Sequence, residues 1–290
     1  MNPQAHRHGL AATALVALLA ACGGGDGATA TTAAGASPAT THEAAASQRG
    51  RGDAADRRAR ALVARMTQDE KLQLVRGHAI CGLGFSALGA GLMGPGFIPG
   101  VPRLGIPDLN ITDGGAGIGD CSSVSPPFSP RANPQATALP APLALAATWD
   151  TELAYDYGAL LATEARAQGF GMVLGGSIGL VRDPRLGRAF EYMGEDPVLS
   201  GKMVSPKIRG AQDGHVVMSL KHLAANQQET HRNDGNSVVD ERTLRELYLL
   251  HFEMAVKDAE PGSVMCSYNK LNGDWACEND HQGEGDDAED

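Results

Sequence analysis

Between Pro107 and Asn269 the chain repeats one unit: a short apolar run that stops at a polar residue, then an amphipathic stretch. Pro107 to Thr112 reads as a strand ending at Asp113. Asp150 caps a helix on which Leu153, Tyr157, Leu160 and Leu161 share a face. Gly171 to Gly175 is the next strand and Glu195 to Ala211 the next helix. Val216 to Leu220 is a buried strand running into Lys221-His222. Asp240 opens a helix with Leu244, Leu247 and Tyr248 on one side, and Ser263 to Ser267 is a last strand ending at Tyr268-Asn269. Alternation of this kind predicts a parallel sheet, either open and doubly wound or closed as an eight-fold barrel.

The front of the chain is different. Met1 to His8 is short and basic, and Leu10 to Ala20 is a mostly apolar run too short for a permanent span. Residues 1–21 therefore read as an export signal. Leu19-Ala20-Ala21-Cys22 resembles a bacterial lipobox, with cleavage before Cys22 and lipid on the cysteine; an ordinary signal cleaved a few residues later is the alternative. The lipid-anchored version places the protein in the periplasm or at the cell surface, held to a bacterial membrane. Residues 22–55 are rich in Ala, Thr, Gly and Ser and form a flexible tether. The globular part runs over 56–280. It starts with helices over Asp56–Arg65 and Thr67–Arg76, the second opened by the capping box Thr67-Gln68-Asp69-Glu70. Gly82 to Gly100 has no strand-to-helix glycine spacing and reads as a long surface loop. Residues 281–290 are an acidic tail without apolar periodicity.

A formal net charge of −10 argues against a nucleic-acid partner, since phosphate contacts need a basic footprint. Cys81, Cys121, Cys266 and Cys277 follow the lipobox. In an oxidising compartment Cys266 and Cys277 can bridge around a turn containing Asn272-Gly273; Cys81 and Cys121 can pair or remain buried thiols. No Cys or His spacing suits a metal, so neither metal nor cofactor is expected.

The most polar connection is Arg182-Asp183-Pro184-Arg185-Leu186-Gly187-Arg188-Ala189-Phe190-Glu191, which continues to Pro197. A charged, glycine-punctuated loop after a buried strand suits the C-terminal rim of a parallel barrel, where polar ligands are held. Asp113, Arg188, Lys221, His222 and Tyr268 converge there if their strands are neighbours. A carboxylate accepting hydrogen bonds beside cations that donate them fits a neutral polyol.

The loop closely resembles the arginine loop of glycoside hydrolase family 3. That family also presents a Thr/Ser-Asp-Gly/Ala element, matched by Thr112-Asp113-Gly114. Its Gly-Arg-x-x-Glu is matched by Gly187 to Glu191, its Lys-His by Lys221-His222, and its Ser-Tyr-Asn by Ser267 to Asn269. The matches keep the family's order. The resemblance implies a (β/α)8 TIM-barrel-type N-terminal domain, with Asp113, Arg188, Lys221, His222, Tyr268 and, by a looser match, Arg232 gripping the sugar. Lys221-His222 is followed by Leu223-Ala224-Ala225 rather than the Phe-Pro-Gly of the N-acetylhexosaminidase branch. The implied activity is therefore of the β-glucosidase type: retaining hydrolysis of terminal non-reducing β-D-glucosyl residues of a glucoside or oligosaccharide, with β-xylosidase as the alternative.

Retaining hydrolysis uses two carboxyl groups about 5–5.5 Å apart. The resemblance places the nucleophile in a Ser-Asp-Trp on a later strand, and the acid/base usually in a further domain. Neither has a counterpart here, and a mobile Asp286 or Asp287 cannot hold attack geometry. The expectation is about the first half of a barrel, inactive as written and lacking the enzyme's C-terminal half. A non-catalytic, lipid-anchored carbohydrate-binding fragment is the alternative.

Overall fold

The computed structural model describes residues 54–77, 94–119 and 136–279. The export signal, Cys22, the tether up to residue 53, Cys81, Cys121 and the acidic tail lie outside the described residues. The chain divides into two units, Met1–Ala59 and Arg60–Asp290. Of the first, residues 54–59 are described and helical. The elements named below belong to the second.

Helix α1, Gln68–Arg76, begins at the expected capping box. Thr67 Oγ1 accepts from the Glu70 amide at 3.3 Å, and Glu70 Oε2 accepts from the Thr67 amide at 2.8 Å. Strand β1, Gly96–Ile98, pairs antiparallel with β2, Leu109–Asp113. The glycine-rich stretch is thus not all loop; three residues are too few to show alternation.

Strands β2, β3 (Met172–Ser177), β4 (Val217–Leu223) and β6 (Ser263–Cys266) are parallel. The sheet order is β1-β2-β3-β4-β6. Helix α2, Pro142–Ala146, and α3, Thr151–Ala167, lie between β2 and β3; α4, Pro197–Asp213, follows β3. Between β4 and β6 a helical stretch starts at Glu241, winds as a π-helix over Leu244–Leu249, and ends as α5, Leu250–Ala259. A doubly wound sheet reverses its order at a switch point and is covered on both faces. Here the order never reverses, α3 packs on α4 and α4 on α5. The sheet is therefore a stretch of (β/α) barrel wall.

The core lies between wall and helices: Val173, Met218 and Leu220 pack with Leu161, Ile208 and Phe252. The buried face of α3 is Ala154, Tyr157, Gly158, Leu161, Ala162 and Ala165, while Leu153 and Leu160 are exposed. The expected leucine face is thus rotated. A Cβ on Gly158 would lie 1.9 Å from the Lys207 carbonyl oxygen, so small residues face α4. The next helix keeps its expected side through the π-winding: Leu244 is buried, Leu247 and Tyr248 are half-buried, and Arg245 and Glu246 are exposed.

A second sheet has the order β5-β7-β8, with β5 at Asn236–Ser237, β7 at Lys270–Leu271 and β8 at Asp274–Trp275. Strands β7 and β8 form a hairpin around Asn272 (φ 53°) and Gly273 (φ 110°), the left-handed pair such a turn requires. A disulfide joins Cys266 to Cys277, with Cα atoms 5.5 Å apart, and closes this segment onto the end of β6.

Candidate functional site

The C-terminal ends of the parallel strands gather the polar residues. Asp113 is the last residue of β2 and pairs in register with Leu174 of β3. Two glycines follow it for steric reasons. A Cβ on Gly114 would lie 2.1 Å from Val173 Cγ1, and one on Gly115 would press at 3.4 Å on Glu191 Cγ. The turn after Asp113 thereby lets the arginine loop come down onto the sheet.

That loop is anchored at Glu191. Its carboxylate takes two hydrogen bonds from Arg188, Nε to Oε1 at 2.7 Å and Nη2 to Oε2 at 2.9 Å. Ser177 Oγ, at the end of β3, donates to Oε2 at 3.1 Å, and Lys221 Nζ of β4 lies 3.9 Å from the same oxygen. One buried carboxylate thus ties β3, the loop and β4 together. Burial opposes the Glu191 charge, but the Arg188 hydrogen bonds and the Lys221 charge hold its carboxyl below the usual range. Burial likewise opposes the charge on Arg188, and Glu191 outweighs it, raising the guanidinium. Lys221 is lowered by burial, against the pull of Glu191 and Asp113.

His222 is a neutral hydrogen-bonding group. Burial, then the charges of Lys221 and Arg188, push it down to about 3. Its Nε2 lies 3.2 Å from Arg188 Nη2. Arginine can only donate, so Nε2 accepts and the proton sits on Nδ1. That Nδ1 has no partner among the described residues. Asn226 Nδ2, Gln227 Oε1, Glu229 Oε1 and Asn269 Oδ1 share this condition, and among the described residues outside the rim segments so do Ser200 Oγ and Asn279 Oδ1. Buried polar atoms are normally paired, so their concentration around this rim sets it apart from the rest of the described residues.

The rim's outer wall is Arg232 and Tyr268. Arg232 pairs with Glu229 at 2.9 Å and stacks over the Tyr268 ring at 5.5 Å. Glu229 also lies against Gly187, where a Cβ would sit 3.5 Å from its Cγ. Tyr192 reaches across from the loop, its hydroxyl donating to the Asn226 carbonyl at 2.9 Å. Behind Tyr268, Ser267 Oγ donates to the Ala224 carbonyl at 2.8 Å, which fixes the strand end.

All six expected sugar-gripping residues therefore stand at one end of one sheet. Arg188, Lys221 and His222 form one connected cluster, Arg232 and Tyr268 another, and Asp113 faces Lys221 electrostatically across the first. Lys221 and His222 lie within β4 rather than after it. Glu191, the centre of the cluster, was not among the expected site residues. Its signal was its spacing three residues after Arg188. Among the described residues no group of His, Cys, Asp and Glu is arranged to hold a metal ion.

Residues 131–282 match the model of the glycosyl hydrolase family 3 N-terminal domain, a little over half of the chain. Thermostable beta-glucosidase B of Acetivibrio thermocellus is 44% identical over 179 residues, 62% of this chain and 24% of that protein. Probable beta-glucosidase J of Aspergillus fumigatus is 45% identical over 179 residues, 62% of this chain and 20% of that protein. Among solved structures, beta-glucosidase 3B of Thermotoga neapolitana in complex with glucose superposes with a TM-score of 0.70 at 38% identity, over 77% of this chain and 31% of that one. DesR, a beta-glucosidase of Streptomyces venezuelae in complex with D-glucose, does so at 0.65 and 39%, over 78% of this chain and 26% of that one. The chain thus spans between a fifth and a quarter of the length of the curated relatives it matches. The chain belongs to glycosyl hydrolase family 3.

Proposed function

We propose that this chain carries the sugar-gripping rim of a β-glucosidase-type hydrolase, whose whole form removes terminal non-reducing β-D-glucosyl residues with retention. The carrying observation is the cluster of Arg188, Glu191, Lys221 and His222 facing Asp113 at the strand ends. Asp113 accepts from adjacent sugar hydroxyls, Arg188 and Lys221 donate to them, and His222 holds Arg188 in place through Nε2. Tyr268 and Arg232 border the outer side of the ring. The similar structures of Thermotoga neapolitana and Streptomyces venezuelae, both described with glucose, support a hexose as the occupant.

Hydrolysis by this route needs a nucleophile to form the glycosyl-enzyme intermediate and an acid to protonate the leaving oxygen. Neither role is assigned to a residue of this rim. The chain by itself binds without turning over, because removing members of a catalytic unit costs several powers of ten in rate. Purified chain should bind glucose in a calorimetric titration. It should hydrolyse neither an aryl β-glucoside nor an aryl β-xyloside above a boiled control. Turnover, or no saturable glucose binding, contradicts this reading. For location, Leu19-Ala20-Ala21-Cys22 supports export with Cys22 acylated and anchored to a bacterial membrane. A mass spectrum of the membrane fraction with an unmodified N-terminus elsewhere would overturn that part.

A further inference from the structure

Two cations, Arg188 and Lys221, stand at the base of the rim, and a basic pair of this kind is ordinarily an anion site. Glu191 occupies the position an anion would take. It engages the Arg188 fork with both oxygens, lies 3.9 Å from Lys221, and is 8% exposed. Ser177 holds its second oxygen with a hydrogen bond of 3.1 Å, which opposes swinging the carboxylate away to admit another anion. Asp113, at the end of β2 one strand beyond β3, adds a second negative charge whose field reaches Lys221. Counted over these four residues, two positive charges meet two negative ones.

Resting on the sugar-site reading above, we infer that Glu191 is a specificity-determining residue. It is a built-in counter-ion that neutralises Arg188 and Lys221, so that the rim accepts an uncharged sugar and rejects uronic acids and phosphorylated sugars. A carboxylate or phosphate arriving at Arg188 would have to displace Glu191 from a bidentate pair and then lie beside it. A hydroxyl needs neither, because Arg188 keeps donor capacity at Nη1 beyond the two hydrogens given to Glu191 and the one given to His222.

The test is calorimetric titration of the full chain at pH 8 with inorganic phosphate, D-glucuronate and D-glucose. It compares wild type, Glu191→Gln and, as a control for net charge, Glu246→Gln, whose partner Arg242 is on the surface at 3.0 Å. The expected result is that Glu191→Gln binds phosphate and glucuronate about tenfold or more tightly than wild type, as one or two new charge-assisted hydrogen bonds would give. Glu246→Gln should show no gain. A folded Glu191→Gln without that gain, or an equal gain in Glu246→Gln, overturns the inference. Should Glu191→Gln not fold, adding Lys221→Met must restore folding if uncompensated cations are the cause; a double variant that stays unfolded also overturns it. Glucose failing to bind wild type would sink the sugar-site reading alone, since the phosphate arm reads the counter-ion directly.

Discussion

The tip and the base of the arginine loop each pair an arginine with an acid, and only one of the pairs is enclosed. At the tip, Arg185 and Asp183 meet at 2.7 Å with side chains 88% and 42% exposed. At the base, Arg188 and Glu191 meet at the same distance with 19% and 11% exposed. Asp183 is held at about 2 by the hydrogen bond from Arg185, yet that shift sits in water and is screened. At the base the cluster is walled by β3, β4 and Tyr192, so each charge depends on its partner. Distance alone does not rank the two arginines; enclosure does.

The sharpest way to break the contrast is to remove one partner at the base. Arg188→Met leaves Glu191 buried without its fork and should cost about 3 kcal/mol of unfolding free energy, the lower end for a broken buried pair because the group is partly exposed. Urea midpoints of the variant and wild type measure it. Next comes the closure of the outer wall. Replacing Cys266 and Cys277 together by Ser frees a bridge of sequence separation 11, and by loop-closure entropy should cost about 3 kcal/mol or less. The same urea midpoints read it, and Tyr268 amide exchange should rise with it.

A third buried charge sharpens the comparison further. Lys207 of α4 is fully buried, donates to the Gly175 carbonyl at 2.9 Å where β3 slips in register against β4, and lies over the Tyr157 ring at 4.6 Å. Burial, then the charge of Lys221, lowers it from 10.5 to about 7. The unfolded chain therefore holds the extra proton between pH 7 and 10.5, and stability rises with pH across that window, by up to about 1.4 kcal/mol per unit. Below pH 7 both states are protonated and the slope from this group vanishes. Lys207→Met should flatten the rise, as urea midpoints at pH 7 and 10 would show. The smallest effect is at the tip: Arg185→Ala should leave both midpoint and glucose affinity unchanged within error, and a clear loss of either would make the two ends of the loop equivalent.

What the sequence made legible follows the same line between local and distant causes. Asp113, Lys221-His222 and Tyr268 could be placed because each stands at the end of an apolar run, and a parallel sheet brings strand ends together. The capping box before α1 is legible because it is closed within four residues. Glu191 is legible as the end of the Gly-Arg-x-x-Glu match, but its central position is not, because that depends on Ser177 and on Lys221, thirty residues later. Strands β1 and β5 are three and two residues long and carry no period. The rotated face of α3 is set by α4 crossing at Gly158, and the choice of barrel wall over doubly wound sheet by the sheet order; neither is written in one segment's pattern.

Backbone amide exchange of the chain with and without saturating D-glucose bears on the sugar-gripping role of the loop base. Protection is expected at Arg188–Glu191, at Lys221 and His222, and at Ser267–Asn269, with Arg182–Leu186 exchanging at the same rate in both states. Protection confined to the tip, or absent from the base and from the end of β4, would contradict it.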